Sequence, residues 1–266
     1  MRDGRKPKPR RRDGSPGHRP PRAGPPTAPP PELAARILVL TDLVLILDKP
    51  AGLPVDAARP GRPSVAGWLP LLRLGKRRDP QPAHRLDADT AGCLVLGRTK
   101  PALAALGAAF AARNVTKRYW AVVRGGPAED SGVVDLPIAK TSTAGAGWRM
   151  RPDPAGQPAR STWRVLARGP GPTLLELTPE TGRTHQLRVH CAAAGWPILG
   201  DPLYGPRGEP GPLHLLARFV GVPGASATAP VPAALRPGFA AAGWAGHDEA
   251  ADGVLTQRHF GGVPER

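Results

Sequence analysis

From residue 32 onward the apolar residues come in short bursts separated by Gly and Pro, the texture of brief strands rather than long helices. Residues 37–40 and 44–48 flank Thr41-Asp42 and predict two strands joined by a turn. Residues 93–96 are apolar throughout, as expected for a strand covered on both faces. In 115–123 the side chains alternate: Lys117, Tyr119, Ala121 and Val123 fall on one face, and Thr116, Arg118, Trp120 and Val122 on the other. Residues 161–166 and 174–178 predict a hairpin closed by Gly169-Pro170-Gly171-Pro172, and 213–220 predicts one more strand.

Helical spacing occurs in three places. Residues 64–72 predict a short helix, and Ala-rich 101–113 a longer one with Pro101 in its first turn. Residues 184–194 predict a third, with Thr184 as its cap, Gly195 as its stop and Pro197 beyond. Strands interleaved with a few helices place the chain in the α+β class, and no internal repeat is present.

Composition divides the chain into regions. The first 31 residues hold 10 prolines and 9 Lys or Arg against 2 Asp, which predicts a disordered basic arm. They contain no apolar run of a secretory signal, and their prolines forbid the amphipathic helix of a transit peptide. Residues 32–244 form the expected folded domain, and 245–266 a polar, Gly-rich tail with no assignable element. The longest apolar stretch, 37–47, is interrupted by Thr41 and Asp42 and is too short to span a bilayer, so no membrane segment is expected. Cys93 and Cys191 are the two cysteines and lie far apart, which argues against a disulfide framework or zinc ribbon and suits a reducing, cytoplasmic setting. With no heptad or exposed apolar stripe, a monomer is expected.

The formal net charge is +16, of which the arm carries +7 and the remainder +9. With 30 Arg against 7 Lys, the partner class that fits is a polyanion, nucleic acid first, because guanidinium groups grip phosphate oxygens in pairs. A GC-rich coding sequence would enrich Arg, Ala, Gly and Pro as well, so charge alone names no partner.

Three clusters carry candidate chemistry. His84-Arg85-Leu86-Asp87-Ala88-Asp89-Thr90 is a polar loop between two strands, the kind of place where a nucleophile or acid–base group is mounted. It equally suits a solvated turn in which Asp89 or Thr90 caps backbone amides. Thr181-Gly182-Arg183-Thr184-His185-Gln186-Leu187-Arg188-Val189-His190 feeds a glycine turn into a helix, a plausible cradle for phosphate or carboxylate. His185 and His190 are five apart and so do not form the i, i+4 pair that shares a metal; each alone also suits a hydrogen-bonded packing residue. In Lys117-Arg118-Tyr119-Trp120, basic and aromatic residues alternate, as for stacking and phosphate contact or for an ordinary half-buried strand.

Taken together with Leu47-Asp48-Lys49-Pro50-Ala51-Gly52-Leu53-Pro54-Val55 and Gly200-Asp201-Pro202-Leu203-Tyr204-Gly205, these segments resemble the RluA-type branch of the RNA pseudouridine synthases in order and spacing. The resemblance covers about residues 34–244. It departs at Ala91, where relatives usually carry Ser, and in the N-terminal arm, which is too short and proline-rich for the S4 RNA-binding domain many relatives have.

The resemblance implies a pseudouridine synthase fold: a long mixed, mainly antiparallel sheet with flanking helices and a central cleft, and no metal or organic cofactor. It implies an isomerase that converts uridines of tRNA or rRNA to pseudouridine by base flipping, aspartate-dependent cleavage of the glycosidic bond and C–C rejoining. Asp87 would be the catalytic aspartate, Tyr119 the ring beneath the base, and Arg188 the partner of Asp87. Arg85 would fill the gap left by the flipped uridine, with His84, Lys117, Arg183 and His185 as further RNA contacts. A non-catalytic RNA-binding or ribosome-assembly protein on the same fold would not need the set Asp87, Tyr119 and Arg188. A hydrolase finds no nucleophilic serine elbow or metal-spaced ligands in this sequence.

Overall fold

A computed structural model of the chain describes residues 31–56, 63–143 and 147–246. The basic arm, apart from Pro31, and the tail beyond residue 246 lie outside them.

A short helix α1 (Pro31–Ala34) leads into β1 (Ile37–Leu40), which pairs antiparallel with β2 (Val44–Lys49). The Thr41 hydroxyl closes the predicted turn by accepting the N–H groups of Leu43 and Val44 at 3.3 and 2.9 Å. The helix expected over 64–72 is split: α2 (Val65–Trp68) tightens into a 3-10 turn at Leu69–Leu72. Pro70 is the reason, since it has no N–H to continue the α-helical ladder. Next come β3 (Gln81–Pro82) and β4 (Ala91–Gly97), the latter buried at every position. Helix α3 (Lys100–Ala111) starts at Thr99, whose hydroxyl accepts the Ala102 N–H at 3.2 Å, and it leads to β5 (Thr116–Arg124).

Five strands that the hydrophobic pattern did not announce are present. They are the two-residue β3, then β6 (Ser131–Asp135), the pair β7 (Ile138–Thr143) and β8 (Gly147–Pro152), and, late in the chain, β12 (Ala225–Thr228). Strand β8 is exposed at nearly every position, so it has no apolar face to betray it. The expected hairpin is β9 (Arg160–Arg168) with β10 (Pro172–Pro179), followed by α4 (Gln186–Ala193), β11 (Leu215–Val222) and the helix α5 (Arg236–Ala241).

The main sheet runs β1-β2-β4-β11-β5-β10-β9-β6, with β3 and β12 attached at β4 and β11; β7 and β8 form a separate ribbon. Every pairing is antiparallel except β4 with β11. Alternation along β2 and β4 feeds two cores. Val44, Ile46, Cys93 and Val95 pack under Leu106 of α3 and Phe239 of α5, while Leu45, Leu47, Leu94 and Leu96 meet Val65, Leu69 and Leu72. A third core joins Ala121, Val123, Leu175 and Leu177 to Leu187 and Cys191 of α4. Each such fully buried aliphatic side chain contributes about 1.5–3 kcal/mol, so the sheet is held on both sides near its middle.

Gly92 lets the centre close. Its φ is +107°, and a Cβ there would stand 2.3 Å from the carbonyl oxygen of Ala217, its partner on β11. No side chain but hydrogen permits β4 and β11 to approach at this point, five residues beyond Asp87.

Candidate active site

The sequence clusters converge on one cleft of about 810 Å3 at the central strands β11, β5 and β10, between the loop before β4, the start of β5, and the segment from β10 into α4. Asp87, Tyr119 and Arg188 all line it, as do His84, Arg85, Lys117, Arg183 and His185.

Asp87 sits in a tight turn: the N–H of Thr90 donates to the Asp87 carbonyl at 3.2 Å, and Leu86 beside it is buried in the core. The turn is anchored from below by Lys49. This lysine is fully buried, and its Nζ donates to the carbonyls of Pro50, Leu53 and Ala88 at 2.8, 2.8 and 2.9 Å. The Ala88 bond ties the Asp87 loop to the end of β2. Burial pulls the ammonium pKa down to about 8, against the opposing pull of Asp89, Asp87 and Asp48.

Arg188 is buried on α4, and Asp201 grips it in a bidentate pair: Nε donates to Oδ2 at 2.8 Å and Nη2 to Oδ1 at 2.7 Å. Asp201 is itself oriented by the N–H groups of Leu203 and Tyr204 at 2.9 and 3.1 Å. One guanidinium nitrogen, Nη1, remains directed at Asp87 Oδ2, 3.8 Å away. The expected pairing of Arg188 with Asp87 is therefore the looser arm of a relay whose tight arm is Asp201. Burial penalises both charges of the tight arm, yet their contact more than offsets this, holding Arg188 above and Asp201 below their ordinary pKa values.

His185 closes the other side. Its Nε2 lies 3.9 Å from Asp87 Oδ2, its Nδ1 is 2.8 Å from the Tyr204 hydroxyl, and its ring stacks on Trp148 of β8 at 5.2 Å. Burial lowers its pKa, so the imidazole is neutral near pH 7. Tyr204 in turn accepts the Met150 N–H at 3.0 Å, which clips the β7–β8 ribbon to the site. The start of α4 differs from expectation. Thr184 does not cap it; the helix begins after His185, whose backbone is left-handed at φ +55° and makes no side-chain cap bond. The buried Gln186 ties the turn instead: its Oε1 accepts from the Thr181 hydroxyl at 2.6 Å and the Arg183 N–H at 3.1 Å. Its Nε2 donates to the Arg160 carbonyl and Ser161 Oγ, each at 2.9 Å.

Tyr119 rises from the middle of β5 on the same face as Lys117, Ala121 and Val123, and it packs against the cores on both sides. Burial, then the charge of Asp87, pushes its phenol pKa well up, so it is a neutral ring at physiological pH. His84 stacks on Phe110 at 4.7 Å, and its Nε2 accepts the Val95 N–H at 3.0 Å. Burial and the nearby Lys117 charge lower its pKa to about 4. Arg85 and Arg183 are exposed at the rim, and Arg183 Nε donates to the Pro158 carbonyl at 3.2 Å. His190 faces away from Asp87 and is a packing residue, bonded to Ser161 Oγ at 3.0 Å and the Leu136 carbonyl at 3.1 Å. Among the described residues no His, Cys, Asp and Glu cluster suited to a metal is found, and both cysteines are free and buried.

Three functional contributors were not singled out from the sequence: Asp201, Tyr204 and Trp148. The first two lie in the Gly200 to Gly205 motif, which gave them no role; Trp148 stood in a segment without pattern.

Known proteins resemble this chain in both sequence and fold. The family described as RNA pseudouridylate synthase matches residues 43–193. An RNA pseudouridine synthase of Zymomonas mobilis is 46% identical over 176 residues, 66% of this chain and 80% of that protein. Ribosomal large subunit pseudouridine synthase D of Nitrosomonas europaea is 41% identical over 183 residues, and there the match spans 51% of the relative. The solved structure of human RNA pseudouridylate synthase domain containing 4 superposes with a TM-score of 0.68 at 28% identity, covering 79% of this chain and 94% of that one. The chain belongs to the RNA pseudouridylate synthase family, isomerases that act on RNA.

Proposed function

We propose that the protein converts uridine to pseudouridine in ribosomal RNA, with Asp87 as the catalytic carboxylate, and that it works in the cytoplasm. The observation that carries this reading is the placement of Asp87 Oδ2, open to the cleft and faced by Arg188 Nη1 at 3.8 Å while Asp201 holds that arginine from behind. The ribosomal substrate is carried over from three relatives, each a ribosomal large subunit pseudouridine synthase D, of whose length this chain matches about half. The substrate expected from the sequence, tRNA or rRNA, narrows accordingly to rRNA.

The isomerisation breaks the N1–C1′ bond, turns the uracil and joins C5 to C1′, with the C5 proton leaving to solvent and no net change in oxidation state. The chain's own residues supply what such a reaction needs. A base inside a helix must be extruded before a carboxylate can reach C1′, and the neutral Tyr119 ring offers it a stacking surface. Asp87 then stabilises positive charge developing at C1′ or attacks there, and Arg188 fixes the direction of its carboxylate. A phenol with a raised pKa suits stacking better than proton abstraction from the sugar. Arg85 enters the gap in the helix, and His84, Lys117, Arg183 and His185 line the path of the strand. The unit that does this is residues 32–244, acting as a monomer, with the arm adding sequence-independent affinity for RNA.

The test is tritium release from large-subunit rRNA and bulk tRNA transcripts labelled at uracil C5, comparing wild type with Asp87→Asn. Asp87-dependent release from rRNA is the expected result. No release from either RNA, with RNA binding intact, would refute the reading and favour a non-catalytic binding protein.

A further inference from the structure

Helix α3 ends in a tight reversal in which the Asn114 N–H bonds the Ala109 carbonyl at 2.8 Å and the Arg113 N–H bonds that of Phe110 at 3.2 Å. This puts Arg113 at the left-handed position just past the helix, at φ +59°, where glycine is the usual occupant because a Cβ crowds the neighbouring carbonyl. Among the described residues three non-glycines have such a backbone, and the two that line the cleft are His185 and Arg113. A cation at a helix C-terminus does not by itself account for the strain. Ala112, one residue earlier and right-handed, could carry the same charge without it.

Arg113 has company. Lys117 lies two residues before Tyr119 on the same face of β5, about 6.8 Å along the strand, which is the scale of one nucleotide step. It is half-buried, and its ammonium is held below its ordinary pKa by burial and by the Arg113 charge. Among the described residues the side chains of Arg113, Lys117 and Arg85 make no hydrogen bond or ion pair, yet all three line the cleft. The carboxylates that also line it are occupied elsewhere: Glu180 holds Arg160 at 3.0 Å, and Asp87 faces Arg188. Two cations drawn together without a counter-charge, beside a ring suited to a base, are arranged for an anion.

We infer that Arg113 and Lys117 hold the phosphodiester next to the nucleotide whose base lies on Tyr119, and that the chain keeps arginine in a glycine conformation for this contact. The inference rests on RNA being the substrate.

Arg113→Gly separates the roles, since glycine relieves the backbone while removing the charge; Arg113→Lys keeps the charge on the same backbone. Binding of a short oligouridylate is followed by fluorescence anisotropy over a range of salt concentrations, alongside thermal melts of the full chain. Arg113→Gly should melt a few degrees higher than wild type. It should nevertheless bind several-fold more weakly, with a salt slope smaller by about 0.7, the value for one lost phosphate contact on a single strand. Arg113→Lys should retain most of the slope. An unchanged slope in Arg113→Gly would overturn the inference. Absence of tritium release by the wild type, with the slope difference intact, would refute the isomerase reading and leave the phosphate site standing.

Discussion

The clamp on Arg188 makes Asp201 the residue whose change should reveal most about the site. Asp201→Asn keeps the shape and the oxygen that accepts from Leu203 and Tyr204, but it swaps the second oxygen for an NH2 that meets Arg188 Nε donor to donor. Both side chains are almost completely buried, at 2% and 1% exposure, so water cannot replace what is lost. Breaking a buried pair costs about 3–5 kcal/mol; with the remaining oxygen still bonded, a loss of about 3 kcal/mol is expected. The freed guanidinium keeps Asp87 as its counter-charge and should shift toward it from 3.8 Å, moving the catalytic carboxylate off its line to C1′. A displacement of about 1 Å at a reacting group costs about 100-fold, so kcat should fall by about that factor while KM for RNA changes little. Urea unfolding gives the first number and single-turnover tritium release the second. The double variant with Arg188→Lys should be no worse than the worse single, because both act on one pair. Wild-type stability and kcat in Asp201→Asn would refute the relay.

Three further outcomes are expected. Lys49→Met keeps the stem but orphans three carbonyls, one of them in the Asp87 loop; it should cost about 3 kcal/mol in urea and speed amide exchange at residues 88–90, and an unchanged midpoint would remove the tether. Tyr119→Phe should retain turnover within about threefold, since ring and stacking survive; a collapse of kcat would give the phenol a proton-transfer role after all. His84 has a folded pKa of about 4 against about 6.5 unfolded, so as pH falls below 6.5 the unfolded chain takes the proton first. The stability His84 contributes is therefore full above pH 6.5 and declines by about 3 kcal/mol on the way to pH 4; chemical denaturation at both pH values in wild type and His84→Asn checks this, and equal losses would refute it.

Much of the site was legible because its chemistry is concentrated in short runs. Asp87, Tyr119 and Arg188 lie far apart in the chain but within stretches whose spacing marks them, and all three line the same cleft. The relation between them was less legible. A sequence places Arg188 near a carboxylate without saying that a second one, Asp201, holds it more tightly, because that choice depends on how the loop after α4 returns. Lys49 stood in the Leu47 to Val55 segment without an assigned role, and only the fold shows it turned inward. Hydrophobic alternation revealed the strands with one buried face or two, such as β4 and β5. It was silent on β8, whose stability comes from pairing with β7 and from the clip of Tyr204 on Met150 rather than from an apolar face. The N-terminus of α4 was misplaced for a similar reason, since the bonds that close it come from a glutamine inside the helix.

Strand β11 lies between β4, which follows the Asp87 loop, and β5, which carries Tyr119. It is made after every residue assigned a catalytic role. A ribosome that has released Asp87, Tyr119 and Arg188 has therefore not yet released an enzyme, and until the chain has emerged past residue 222 the apolar edges of β4 and β5 have no mate. Such long-range closure makes folding slow and the unfinished chain prone to aggregate. It also means that a newly made protein meets RNA first through its charge, and acquires its chemistry only when the last central strand slides home.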